Sequence, residues 1–403
     1  MTKIVDIEDI RKKREKKEIG IPIENINKKE LKRRGHEIGD ILGCDEKGEE
    51  ICVRKGKGNL YVDGNMEKEQ LFDFMRSQIY QNIQRGDSMV IVDLGSRIYK
   101  RELWIYLTIH GYRVDSYNMD CMTESDCFNC LDGLGAEDEE QIVMIANDII
   151  DDQEYKFMTY PVETACKALL SAVLLASLTE MEESGRNMLE IATIFRLGVS
   201  KTMLDKILYV MFEELDETSS AKQLFAMYSE AEEEIRMEAI QKIGDALAVY
   251  EKRANDGLYD NFRTNRYDME MPVKEKSALF IEPGQDTEDK VLFSVFMERL
   301  YNSMLKKAEE RQQDVTVMLL DYPYYGGLCG LEKYMEEGPE KGIYTTLYED
   351  DRKLDGSGYA PHLVELYSLC DISVCIKDTE IPLCEIEKCE NPVTGECSKR
   401  KDG

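Results

Sequence analysis

Residues 59–84 have the sequence NLYVDGNMEKEQLFDFMRSQIYQNIQ, and this stretch decides the fold class. A short apolar run ends in Asp63 and Gly64, and apolar residues then recur three or four positions apart. The run predicts a β-strand, the glycine predicts a turn, and the periodic stretch predicts an α-helix over residues 67–84. A strand that leads through a glycine turn into a helix is typical of α/β proteins.

The same alternation recurs along the chain. Further apolar strands are predicted at residues 88–93, 111–117, 277–281, 315–321, 342–348 and 372–376. Helices are predicted at residues 98–110 and 290–311. Apolar strands that alternate with helices indicate a parallel sheet covered on both faces. Residues 39–64 predict short strands and hairpins, with a hairpin turn at residues 54–58.

An almost wholly helical pattern interrupts this alternation. Five helices are predicted at residues 161–178, 187–194, 200–212, 219–228 and 232–250. Ser200 and Ser219 are the predicted N-caps of two of them. The predicted organisation is a basic arm (1–35), a first α/β part (36–140), an all-α subdomain (141–255), a second α/β part (256–380) and a polar tail with cysteines (381–403).

The charge of the chain limits its partners. A net charge of −29 repels polyanions, which argues against a broad, nonspecific grip on DNA or on an anionic membrane. Residues 1–35 are the local exception, with 12 Lys and Arg against 7 Asp and Glu. We interpret them as a helical or disordered arm, with DNA binding as an alternative role.

Location is inferred from what the sequence lacks. No apolar run approaches the roughly 18–20 residues that span a bilayer, and the N-terminus has no signal-peptide pattern. We therefore expect a cytoplasmic protein, either free or peripheral at the inner face of the membrane.

The turn after the first predicted strand is where an ATPase binds phosphate. The motif G-x-x-x-x-G-K-[ST] works because backbone N–H groups surround the phosphates, lysine neutralises them and a hydroxyl holds Mg²⁺. With Gly64 as the first glycine, Glu69, Gln70 and Leu71 occupy the positions of Gly, Lys and Ser/Thr. Lys68 lies two positions before that of the motif lysine. We expect neither ATP nor Mg²⁺ to bind and no nucleotide hydrolysis.

A second ATPase requirement is an Asp at the end of a strand, usually followed by a Glu that positions the attacking water. Asp321 ends an apolar run, but Tyr322 follows it. The aspartate fits this Walker B pattern and the tyrosine does not. No residue is therefore predicted to be catalytic.

Several stretches resemble the TraG/TraD-type conjugative coupling proteins, the DNA-transfer ATPases of type IV secretion. They are residues 36–48 (HEIGDILGCDEKG), 90–95 (VIVDLG), 110–114 (HGYRV), 125–129 (SDCFN), 277–281 (SALFI) and 321–327 (DYPYYGG). The resemblance implies a RecA-like P-loop NTPase fold with an inserted all-α subdomain. It also implies a hexamer-forming motor that moves single-stranded DNA to a secretion channel. The chain departs from the family at Glu69, Gln70, Leu71 and Tyr322, and at Cys130, which replaces a proline.

These departures favour a degenerate family member that serves as a scaffold, adaptor or accessory subunit in conjugative DNA transfer. Its expected partners are conjugation or secretion proteins, including an active ATPase paralogue, in a homo- or hetero-oligomer. Two alternatives stay open. One is an active but divergent ATPase motor, and the other is a module that binds DNA or relaxosome proteins.

The twelve cysteines raise the question of zinc. Cys127 and Cys130 form one C-x-x-C half-site, and Cys384, Cys389 and Cys397 lie in the tail without paired spacing. Structural zinc usually needs two such pairs. These five cysteines are weak zinc candidates, and free thiols are the favoured alternative.

Overall fold

The computed structural model describes residues 3–6, 18–20, 40–44, 50–54, 57–64, 68–92, 97–119, 127–151, 158–197, 201–254, 262–284, 289–320, 328, 330–350, 366–377 and 383–387. Within them the strands are β1 (Lys3–Asp6), β2 (Glu18–Gly20), β3 (Asp40–Cys44), β4 (Glu50–Arg54), β5 (Leu60–Gly64), β6 (Ser88–Val92), β7 (Arg113–Asn118), β8 (Ser277–Glu282), β9 (Val315–Leu320), β10 (Ile343–Asp350), β11 (Ile372–Lys377) and β12 (Leu383–Glu387).

The α-helices alternate with these strands or fill the central part of the chain. They are α1 (Lys68–Arg85), α2 (Arg97–Ile109), α3 (Glu139–Asp151), α4 (Tyr160–Glu180), α5 (Met188–Leu197), α6 (Lys201–Glu213), α7 (Ser220–Ser229), α8 (Glu233–Arg253), α9 (Met271–Lys274), α10 (Asp289–Lys307) and α11 (Leu331–Glu337). Hydrophobic periodicity placed both ends of α1, α2, α4, α6 and α7 within two residues of the observed ends, and it missed one end of α5, α8 and α10 by three or four residues.

The main sheet has nine strands in the order β2-β12-β11-β5-β10-β9-β6-β8-β7. Every adjacent pair from β11 to β8 is parallel, so six strands form a parallel sheet. Strands β12 and β2 extend it with antiparallel pairing. The strands β6, β8 and β9 are buried along their whole length, which explains their continuous apolar sequences. A separate three-stranded sheet has the order β1-β4-β3.

The described residues form two compact units. Unit 1 comprises Met1–Asp115, Met269–Ile281 and Tyr301–Gly403. Its core joins buried side chains of α1 and α2, such as Ile79 and Leu107, to strand residues such as Val62, Ile91 and Met318. The parallel sheet and its covering helices therefore share one apolar core.

Unit 2 comprises Ser116–Asp268 and Glu282–Leu300 and contains the helices α3 to α8. Helix α4 is long and apolar enough to cross a membrane by length and composition, but 78% of its most apolar window is buried inside the protein. It packs as the central helix of the unit. The predicted N-cap Ser219 is confirmed, because its hydroxyl accepts a hydrogen bond from the Lys222 backbone N–H. Ser200 lies outside the described residues.

Two local predictions were wrong. The basic arm (1–35) was expected to be helical or disordered, but its described residues, 3–6 and 18–20, are strands, with β1 paired to β4 and β2 paired to β12. The backbone N–H and C=O groups of β1 and β2 pair with strands that are far away in the sequence. Local periodicity does not reveal such long-range pairing. The turn at residues 54–58 was expected to close a hairpin, but it leads from β4 in the small sheet to β5 in the large sheet. The antiparallel pair in this region is β3 with β4.

Candidate functional site

The strand order places a candidate ligand site at the carboxyl end of β5. This strand lies between β10 and β11 and is parallel to both. After β5 the chain continues to β6, which lies beyond β10 in the sheet. After β11 it continues to β12, which lies on the opposite side of β11 from β5. Adjacent connections that diverge leave a crevice outside the carboxyl ends of the strands, which is where open α/β sheets bind ligands.

The segment that follows β5 is the predicted phosphate loop. Strand β5 ends at Gly64 and helix α1 begins at Lys68, so only residues 65–67 connect them, and these lie outside the described residues. Glu69, Gln70 and Leu71 therefore fall in the first turn of α1. The strand and the helix expected from the sequence are present.

The residues at this helix start do not fit a nucleoside triphosphate. A helix N-terminus attracts phosphate through its free N–H groups and the positive end of its dipole. The acid Glu69 supplies negative charge to that end of the helix. Gln70 carries no charge to neutralise a phosphate, and Leu71 has no oxygen for Mg²⁺. A helix start favours an anion at this position, while the residue types there do not.

The Walker B-like strand lies two positions from the phosphate-loop strand. Strand β9 ends at Leu320, and β10 lies between it and β5. Neighbouring strands are about 4.8 Å apart, so the ends of β5 and β9 are about 10 Å apart. Asp321 and Tyr322 follow β9 and lie outside the described residues.

An acidic register pair at this edge was missed by sequence reasoning. Asp63 of β5 is paired with Glu349 of β10, and Gly64 with Asp350. Parallel strands far apart in sequence create this pairing, so no local spacing could have shown it. Acidic residues therefore occupy adjacent register positions at the end of β5, the strand that precedes the predicted phosphate loop.

Salt bridges hold the opposite end of the sheet. The Nζ atom of Lys57 lies 2.6 Å from a carboxylate oxygen of Asp87 and 2.9 Å from one of Asp314. The Nε atom of Arg85 also contacts Asp87, at 2.7 Å. These residues precede β5, β6 and β9 or end α1, so they join the amino ends of the strands. They position the sheet and lie away from the carboxyl edge.

The C-x-x-C half-site lies in the interior of unit 2. Cys127 and Cys130 are both buried free thiols. The intervening Phe128 packs edge-on against Phe296, with ring centroids 4.8 Å apart, and Phe296 stacks on Tyr117 at 4.2 Å. An aromatic cluster therefore holds this segment in place.

Burial also affects the protonation of this segment. It raises the pKa of the Cys130 thiol to about 12. Among the residues that the structure describes, no group of three or more His, Cys, Asp or Glu side chains could hold a metal ion. Cys384 lies on β12, paired in register with Ile376, and Cys389 and Cys397 lie outside the described residues.

A small cavity in unit 2 adjoins the same aromatic cluster. It is lined by Tyr117, Phe128, Asn129, Cys130, Tyr250 and neighbouring apolar side chains, and its volume is about 10 Å³. That is room for at most one water molecule. The cavity is therefore a packing defect and not a small-molecule site.

Comparison with known proteins supports the fold. No protein-family model matches the sequence, and no curated protein sequence matches it. The bacterial conjugative coupling protein TrwBdeltaN70, in an unbound form, matches with a TM-score of 0.57 and 13% identity, over 94% of this chain and 87% of that chain. Its trigonal form in complex with sulphate matches with a TM-score of 0.58 and 15% identity, over 89% and 78%.

The plasmid coupling protein TrwB in complex with ADP and Mg²⁺ matches with a TM-score of 0.56 and 13% identity, over 89% of this chain and 80% of that chain. At these identities the likeness establishes the fold alone. The chain has the RecA-like P-loop NTPase fold with an inserted all-α subdomain, as the sequence predicted.

Proposed function

We propose that this chain is a catalytically degenerate relative of the coupling ATPases that serves as a scaffold, adaptor or accessory subunit in conjugative DNA transfer. One observation carries the proposal. The coupling-protein fold extends over 94% of the chain, while Glu69, Gln70 and Leu71 occupy the helix start beside β5. The shape is kept and the groups that would act on a nucleotide are absent from that position.

The physical cost to nucleotide binding is large. Hydrogen bonds to a charged group are worth about 1.5–3 kcal/mol each, and Gln70 cannot replace those of a lysine ammonium. The carboxylate of Glu69 repels a triphosphate, and the dipole of α1 offsets only about 0.3–1 kcal/mol. A nucleotide at this position therefore loses several favourable contacts at once.

The overall charge favours a protein partner over a nucleic acid. A chain with a net charge of −29 repels DNA at long range, so the basic arm would have to overcome this repulsion by itself. Cytoplasmic conjugation or secretion proteins, including an active ATPase paralogue in a hetero-oligomer, are the expected partners.

Calorimetry on a reconstructed loop tests the nucleotide claim. The wild-type chain should show no binding heat with a non-hydrolysable ATP analogue and Mg²⁺. The triple variant Glu69→Gly, Gln70→Lys, Leu71→Thr restores the motif and should gain binding. Wild-type binding with turnover that Asp321→Ala abolishes would establish the active, divergent ATPase instead.

Complementation tests the scaffold role. A host strain lacking this chain should lose conjugative transfer, and the wild type and Asp321→Ala should restore it equally. Equal rescue is expected because the proposed role uses no nucleotide chemistry. A deletion without effect on transfer, or a loss of rescue with Asp321→Ala, contradicts the proposal.

A further inference from the structure

Exposed apolar side chains lie on three consecutive helices of unit 2. Seven large hydrophobic side chains are exposed among the described residues, and four of them lie on α6, α7 and α8. Their exposed fractions are 62% for Tyr209, 71% for Val210, 55% for Met227 and 39% for Met237. We call these four residues and the outer sides of their helices the α6–α8 face.

Packing beneath the α6–α8 face joins the three helices. Phe212 of α6 stacks on Phe225 of α7, with ring centroids 4.2 Å apart and planes 5° apart. The Tyr228 hydroxyl of α7 donates to the Arg236 carbonyl oxygen of α8, at 3.4 Å. The exposed side chains therefore lie on helices that contact one another and not on separate loops.

Exposed acidic residues are frequent in the same stretch of the chain. Between residues 213 and 238, nine acidic side chains are exposed: Glu213, Glu214, Asp216, Glu217, Glu230, Glu232, Glu233, Glu234 and Glu238. The same stretch holds two basic residues, Lys222 and Arg236, and Lys222 lies 2.8 Å from Glu217. A strongly negative field therefore coincides with exposed apolar area.

We propose that the α6–α8 face docks a basic amphipathic helix of a partner protein. Apolar side chains of that helix would cover Tyr209, Val210 and Met227, which gains free energy by removing them from water. Lysines and arginines along its edges would meet the surrounding glutamates, which steers the encounter and selects the partner. The same field repels nucleic acids and anionic membranes.

The proposal takes its biological setting from the adaptor role proposed above, but its test does not depend on that role. Binding of a defined peptide to the full-length chain is measured without nucleotide. A failed nucleotide experiment therefore leaves this inference intact, and a failed docking experiment leaves the nucleotide conclusion intact.

The test uses fluorescence anisotropy with a labelled peptide of about 18 residues, in which leucines at helical spacing form one face and lysines the other. Two control peptides replace lysine by glutamate or scramble the order at constant composition. The variant Tyr209→Ser, Val210→Ser probes the apolar contact. Its matched control is Ile105→Ser, Ile109→Ser, the exposed apolar pair on α2 of unit 1.

Charge is probed by Glu232→Gln, Glu233→Gln, Glu234→Gln, with the exposed unit 1 glutamates in Glu309→Gln, Glu310→Gln, Glu336→Gln as the matched control. We expect the lysine peptide to bind the wild-type chain. Each variant of the α6–α8 face should weaken the affinity for this peptide about tenfold, and each control variant should leave that affinity unchanged. Added salt should weaken binding to the wild type. No binding, equal binding of the scrambled peptide, or equal losses in face and control variants would overturn the proposal.

Discussion

Arg253, in the last turn of α8, donates from Nε and Nη2 to Oδ1 of Asp289, the first residue of α10, at 3.1 and 2.6 Å. The Asp289 side chain is 1% exposed and that of Arg253 is 13% exposed. A cation at a helix C-terminus and an anion at a helix N-terminus each complement the helix dipole. This buried pair therefore joins the ends of two helices within unit 2.

Breaking this pair should destabilise the fold strongly. Either Arg253→Ala or Asp289→Asn should lower the free energy of unfolding by about 3–5 kcal/mol, because one charge is removed and its partner stays buried. The double variant Arg253→Met, Asp289→Leu should lose much less, since no buried charge is left. Urea unfolding measures all three, and single variants within about 0.5 kcal/mol of the wild type would contradict the assignment.

Gly284 should be required beside this pair. A β-carbon at residue 284 would overlap the Asp289 carboxylate, which Arg253 holds in place. We expect Gly284→Ala to cost about 1–3 kcal/mol of stability through overpacking. Gly244, inside α8, has open space where a β-carbon would lie, with no atom within 4 Å, so Gly244→Ala should stabilise by about 0.5–1 kcal/mol. Thermal unfolding that shifts both variants in the same direction would contradict this contrast.

Asn59 connects three parts of unit 1. Its Nδ2 donates to the Met335 and Leu369 carbonyl oxygens at 2.6 and 3.1 Å, and its Oδ1 accepts from the Thr345 N–H at 2.9 Å. Since unsatisfied buried groups cost about 1–3 kcal/mol each, Asn59→Ala should cost about 3 kcal/mol or more.

Chemical denaturation checks this cost, with the exposed Gln223→Ala as the control. That variant should stay within about 0.5 kcal/mol of the wild type. Equal effects of the two substitutions would show that the hydrogen bonds of Asn59 contribute little to the stability of unit 1.

Much of the fold was predictable because its elements are strongly periodic. Strand β9 is buried along its whole length and is apolar except for Thr316, and its last residue, Leu320, precedes Asp321 as the sequence indicated. Five helices of unit 2, α4 to α8, were predictable because apolar residues recur three or four positions apart along them, although α4 is buried on all sides over most of its length. The cap at Ser219 followed from residue type alone.

Sheet order and register were not predictable from the sequence. The placement of β10 between β5 and β9 brings Glu349 opposite Asp63, from a position far along the chain. Such contacts depend on long-range pairing and leave no local pattern. The spacing of Cys127 and Cys130 likewise indicates a metal half-site, while their packing around Phe128 shows buried thiols.

Alkaline pH should destabilise unit 2 through its buried thiols. Burial raises the pKa values of Cys130 and Cys166 from 9.0 to about 12. The folded state therefore holds these protons more tightly, so the stabilisation is fully present below pH 9 and falls as the pH rises toward 12. Each group contributes a slope of at most about 1.4 kcal/mol per pH unit.

The double variant Cys130→Ala, Cys166→Ala isolates this contribution, because tyrosines and lysines titrate alike in both proteins. Its stability at neutral pH should be lower than that of the wild type, since two buried side chains lose volume. Its free energy of unfolding should then fall less steeply between about pH 9 and pH 11, because the two thiols no longer titrate on unfolding. Urea unfolding at a series of pH values measures both slopes. Identical slopes would show that the thiols ionise as readily in the folded protein as in the unfolded chain.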